Sequence, residues 1–107
     1  MIHQKADKAE KGWFFGPWNT NVPVAVGYAN KGIDLVHYHE HMHEIYLVAR
    51  GSSVLQINNQ DIHLEAGDAI SVEPDEVHTF LSSSEDYFHF VIHAPFVKGD
   101  KVVLPNT

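Results

Sequence analysis

Apolar positions along this chain recur in short runs, not at helical spacing. Runs rich in Val, Ile, Tyr and Phe are separated by Gly, Asn, Asp and Pro, the pattern of β-strands joined by turns. They predict strands near residues 22–29, 33–39, 44–50, 53–57, 61–65, 69–73, 78–82 and 87–94. After residue 12 no segment keeps a 3.6-residue period over three turns, so no long helix is expected. Asn58-Asn59 predicts a tight hairpin. Gly51-Ser52, Ala66-Gly67-Asp68 and Pro74-Asp75-Glu76 mark other turns. About eight short strands at this spacing predict an all-β sandwich or barrel.

The two ends depart from the pattern. Residues 1–12 carry Lys5, Asp7, Lys8, Glu10 and Lys11 and read as a tail or one short exposed helical turn. Residues 13–107 read as a single domain. Its opening segment, Trp13-Phe14-Phe15-Gly16-Pro17-Trp18, needs burial against the body of the protein or a second copy. A homodimer with residues 13–29 in its interface is therefore expected. The segment from Val97 to Thr107 includes Lys101-Val102-Val103-Leu104-Pro105 and reads as an edge strand or a loose end.

Composition narrows the function classes. The 107-residue chain contains no cysteine, which removes disulfides, thiolate metal sites and cysteine nucleophiles together. Its net charge of −7 with no basic stripe argues against nucleic acid as a partner. No apolar run approaches the roughly 18–20 residues of a membrane-spanning helix. The charged N-terminus lacks the apolar centre of a secretory signal, so a cytoplasmic location is expected.

Histidine changes the picture most. Nine residues are His, and four occupy alternate positions from His37 to His43. On a strand, residues i and i+2 share a face with Cα atoms roughly 6.5–7 Å apart. Two imidazoles so placed, such as His37 and His39, can lean onto one ion at about 2.0–2.1 Å per nitrogen. Glu44 lies five residues beyond His39. On one straight strand it would face the other way, so a turn or bulge within Glu40–His43 must reorient the chain. Further on, Gly67 to His78 reads as a glycine turn, a β-branched strand, a proline turn and a histidine.

These residues resemble the two motifs of the cupin superfamily. His37-x-His39-x4-Glu44-x6-Gly51 matches the spacing of the first motif, and the distance from Gly67 to His78 matches that of the second. Tyr87–Pro95 resembles the closing strand of small cupins. Gly32 lies one residue too close to His37, and Pro74 one residue late. Asp75 stands at the turn glycine position and Ser82 at the final asparagine position. Asp tolerates left-handed backbone better than most residues, so the turn remains feasible.

The resemblance implies a double-stranded β-helix, or jelly-roll, barrel. It also implies that His37, His39, Glu44 and His78 point inward and hold one divalent transition metal. Three imidazoles and a carboxylate suit Fe, Mn, Co, Ni or Zn. In octahedral geometry they leave two positions open, which implies chemistry or ligand binding on a small molecule. Dioxygenases, sugar isomerases and epimerases, and acid decarboxylases occur among small cupins. The alternative is a non-catalytic module that binds or senses a small ligand. Without a metal, the same histidines would be ordinary strand residues, and Glu44 would pair with Arg50 or a histidine.

Tyr46 and Val48 share parity with Glu44, and Phe80 with His78, so they are expected beside the metal as pocket wall or as core. His89 is a further wall candidate whose facing the sequence leaves open. His41 and His43 are expected in the loop before Glu44. His63 and His93 are expected on the solvent face, and His3 in the tail.

Overall fold

A computed structural model of the protein describes residues 1–7 and 10–105. Lys8 and Ala9 of the expected tail, and Asn106 and Thr107 at the other end, lie outside the described residues. The strands are β1 (Lys11–Phe15), β2 (Ala25–Ala29), β3 (His37–His39), β4 (His43–Arg50), β5 (Ser52–Ile57), β6 (Gln60–Glu65), β7 (Ala69–Val72), β8 (His78–Ser83), β9 (Phe88–Ala94) and β10 (Lys101–Val103). They form two five-stranded sheets, ordered β1-β2-β9-β4-β7 and β10-β3-β8-β5-β6. Every pairing is antiparallel.

All eight expected strands are present; those over 22–29 and 33–39 are shortened by three and four residues, and those over 69–73 and 87–94 by one each. The run 33–39 contributes only His37–His39; the chain before it passes beside β8, where the Ile33 carbonyl accepts the Phe80 N–H at 3.1 Å. There Gly32 lies flat against Phe80, where an added Cβ would come within 2.0 Å of the ring. β1 was not expected, since Lys11-Gly12 continues the polar tail; pairing with β2 makes it a strand. β10 settles the C-terminal segment as an edge strand on β3.

The turns follow the sequence chemistry. Asn58 and Asn59 both take positive φ, at 48° and 67°, as a tight hairpin between β5 and β6 requires. Asp75 takes the left-handed backbone expected of a glycine there, with φ of 69°.

Register decides what faces the interior, because directly opposed residues in an antiparallel pair project to the same face. Across the first sheet the inward rows are Ala25–His93–Glu44–Val72, then Gly27–Val91–Tyr46–Ile70, then Ala29–His89–Val48. β2 thus offers only Ala, Gly and Ala to the interior, which leaves room for a cavity. One end of the interior is filled instead. Tyr46, Val48, Val72 and Val91 pack there against Leu55, Leu64 and Phe80 of the second sheet, with Tyr87.

β3 and β4 belong to different sheets. The bend between them carries the chain across the barrel, so His39 and Glu44 face each other despite their odd spacing. The Asp100 carboxylate holds this bend, accepting the His41 and Met42 N–H groups at 2.9 Å each and bonding the His41 ring at 2.8 Å.

Candidate metal centre

His37, His39, Glu44 and His78 are buried together, and one ligand atom from each can be chosen so that all lie within 4.8 Å of one another. The second sheet supplies the three histidines. His37 and His78 are opposed across β3 and β8, and His39 stands two residues from His37. The first sheet supplies Glu44 from the opposite wall. Burial lowers the His37 pKa to about 4, which keeps its imidazole neutral and able to bind a metal.

The hydrogen bonds fit a cation. The Nδ1 atoms of His37 and His78 lie 2.7 and 2.8 Å from the carbonyl oxygens of Leu35 and Glu76. A carbonyl only accepts, so both Nδ1 atoms carry hydrogen, and in the neutral ring Nε2 presents a lone pair. The His78 Nε2 faces Glu44 Oε1 at 3.0 Å. Two acceptors in such contact require a proton or a metal ion between them. His39 is buried with neither ring nitrogen hydrogen-bonded, its Nε2 standing 3.5 Å from Glu44 Oε1. A buried imidazole left so is costly unless something absent from the chain itself completes it.

Around Glu44 the protein adds two more partners. Tyr46 donates its hydroxyl to Oε1 at 2.6 Å, and burial followed by the Glu44 charge raises its pKa well above the usual value, so it stays a donor. His93 Nε2 meets Oε2 at 2.5 Å. Burial alone would raise the Glu44 carboxyl, but with a proton, in place of a metal ion, on the His39, His78 and His93 nitrogens that face it, it is held well below the usual carboxylate range.

A cavity of about 420 Å³ opens onto this cluster. Tyr46 and His89 line it, with Trp13, Ile33 and Val91. Burial lowers the His89 pKa to about 4, and its Nδ1 lies 2.7 Å from the Tyr87 hydroxyl. Val48 and Phe80 face inward but belong to the packed core beyond the cavity wall.

His93 corrects an expectation. Alternation within β9 suggested the solvent face; register places it opposite Glu44 and points it inward, stacked edge-on against Trp13 at 4.9 Å. No sequence signal fixed the β9–β4 register. His63 is exposed, as expected. His41 is engaged with Asp100, and His43 lies 3.4 Å from Glu73, so both stand outside the buried cluster.

The family model of the cupin domain matches residues 25–93. The chain belongs to the cupin family. Its two facing sheets are the double-stranded β-helix barrel of that family. In fold this cupin is similar to Pac13, a nucleoside dehydratase, at 20% identity and a TM-score of 0.69, covering 95% of this chain and 91% of that one. A Pac13 variant from Streptomyces was solved with uridine. The cupin is also similar to a cupin-like protein from Thermotoga maritima (19% identity, TM-score 0.74, 90% and 75% covered). A third is KdgF from Halomonas (14% identity, TM-score 0.65, 82% and 79% covered). At these identities the likeness shows the fold alone. No curated protein sequence matches the cupin. Among the described residues no helix is long and apolar enough to cross a membrane.

Proposed function

We propose that this cupin is a small-molecule metalloenzyme that binds one divalent transition metal through His37, His39, Glu44 and His78. The observation that carries the reading is the buried cluster itself: three imidazoles and a carboxylate converge beside an open cavity, with His39 left without a hydrogen bond. When bound, the ion supplies Lewis-acid polarisation of a substrate oxygen, and redox chemistry if it is iron.

The chain's own groups prepare the site. The Leu35 and Glu76 carbonyls fix the His37 and His78 tautomers, an orientation that raises ligand basicity. Tyr46 and His93 hold the Glu44 carboxylate from either side. Glu44 serves as a ligand, because a carboxylate bound to a cation has lost most of its proton affinity and is a poor general base. Val91, Ile33 and Trp13 keep the wall apolar, which limits water beside the reacting group.

Dioxygenase, isomerase or epimerase, and decarboxylase chemistry all fit an open site of this kind. The reading includes a cytoplasmic location and a homodimer, the dimer supported by the half-exposed Trp13 on the edge strand β1 and Trp18 beyond it. The test is turnover by protein loaded with each metal in turn, screened with diols, keto acids and sugars, with oxygen uptake followed in parallel. Metal-dependent conversion of one class is expected. Ligand binding without turnover by any metal form would favour a sensing module instead.

A further inference from the structure

The cavity mouth differs in charge from the rest of the chain. The protein carries a net charge of −7 with only 7 Lys and Arg residues. Three of these, Lys11, Lys31 and Lys101, line the cavity of about 420 Å³ beside the histidine cluster, where the sole lining acid is Glu44. Among the described residues none of the three lysines is in an ion pair. Two of them face the interior by register. Lys101 is directly opposite His39, and Lys11 directly opposite Ala29, whose next neighbour across the sheet is His89.

We propose that the substrate of this cavity is a small molecule bearing an oxyanion, which Lys11, Lys31 and Lys101 hold at the mouth while the rest of the molecule reaches inward. The inference rests on the metal-site reading and names the substrate class for it. A lysine ammonium acts as a point charge towards a carboxylate or a phosphate, and like-signed charges around a low-dielectric cleft focus their field into it. Lysines on edge strands also blunt unwanted strand pairing. That role does not account for Lys31, which lies in the loop after β2.

Trp13 lines the cavity and reports on it. The experiment uses full-length Trp18→Phe protein, so that Trp13 is the only tryptophan, with Lys31→Gln, Lys101→Gln and the double variant in that background. In the metal-free arm, iodide and acrylamide quench Trp13. Iodide quenching should fall about twofold for each lysine removed, the size expected of one partly screened charge at this range, with acrylamide quenching unchanged. In the zinc-loaded arm, glycerate, glycerol phosphate and glycerol are titrated. Both anions should bind at least tenfold more tightly than glycerol and lose that advantage in the double variant. The stronger of the two identifies the oxyanion as carboxylate or phosphate. Equal binding of all three probes, or anion binding and iodide quenching indifferent to the lysines, overturns the proposal. Failure to bind zinc while iodide quenching still depends on the lysines would overturn the metal reading and leave the anion site supported.

Discussion

Glu44 is buried among three imidazoles and a phenol, and its two oxygens have different partners. Oε1 takes the Tyr46 hydroxyl and faces His39 and His78, while Oε2 meets His93. Tyr46 therefore aims the carboxylate. Tyr46→Phe keeps the ring's packing against Phe80 and His89 and removes only the donor. Metal affinity should fall about 10–100-fold, measured by competition with a chromophoric chelator; unchanged affinity would reduce Tyr46 to a core residue. His89 carries a different consequence. Burial lowers its pKa from 6.5 to about 4. Above pH 6.5 neither the folded nor the unfolded state is protonated there, and stability is flat. Between 6.5 and 4 the unfolded state binds the proton first, so stability falls as pH falls, by on the order of 3 kcal/mol in total. Urea midpoints of chelator-treated protein from pH 7.5 to 4.5 should show this slope, flattened in His89→Gln; identical slopes in the two proteins would contradict it.

Among the elements, the bend between β3 and β4 has the largest effect on the site, because it passes the chain from one sheet to the other. Its geometry depends on Asp100. Burial alone would raise that carboxyl, but the His41 and Met42 amides and the His41 ring outweigh it and hold it low. Asp100→Ala leaves two amides of the bend without an acceptor. It should cost about 2 kcal/mol of stability and weaken metal binding as Glu44 loses its fixed approach. Denaturant melts with and without metal separate the two effects, and a metal-free midpoint equal to wild type would mean that the bend stands without Asp100. The bend also shows what was legible in the sequence. Spacing alone paired His37 with His39, the resemblance to the cupin motifs added Glu44 and His78, and the odd parity of Glu44 required a reorientation within Glu40–His43, which is where it occurs. Its cause could not be read, since Asp100 is distant in sequence. His93 escaped for a related reason: alternation gives two faces to a strand, and only its register on β4 says which one meets Glu44. β1 was missed because Lys11-Gly12 has no strand character apart from its pairing with β2.

At the scale of the whole molecule, a small barrel leaves aromatic surface near the cavity mouth. Trp13 is 47% exposed and Trp18 52%, while β1 is an unpaired edge. We expect a homodimer built on this region, and sedimentation at micromolar concentration should show two copies, with Trp18→Ser shifting the equilibrium towards one. A wild-type monomer under those conditions would contradict the dimer and leave the site argument untouched. Everything proposed for the site depends on the barrel holding one metal ion in its interior through His37, His39, Glu44 and His78. Calorimetric titration of divalent metal into untagged, chelator-stripped protein tests it most directly. One site per chain is expected in wild type and in His63→Ala. Affinity should be at least a hundredfold weaker in His37→Ala, His39→Ala and His78→Ala, and binding clearly weakened in Glu44→Gln, which keeps the shape but removes the charge. Binding lost equally in His63→Ala and in the buried-histidine variants, or unchanged in all of them, would contradict it.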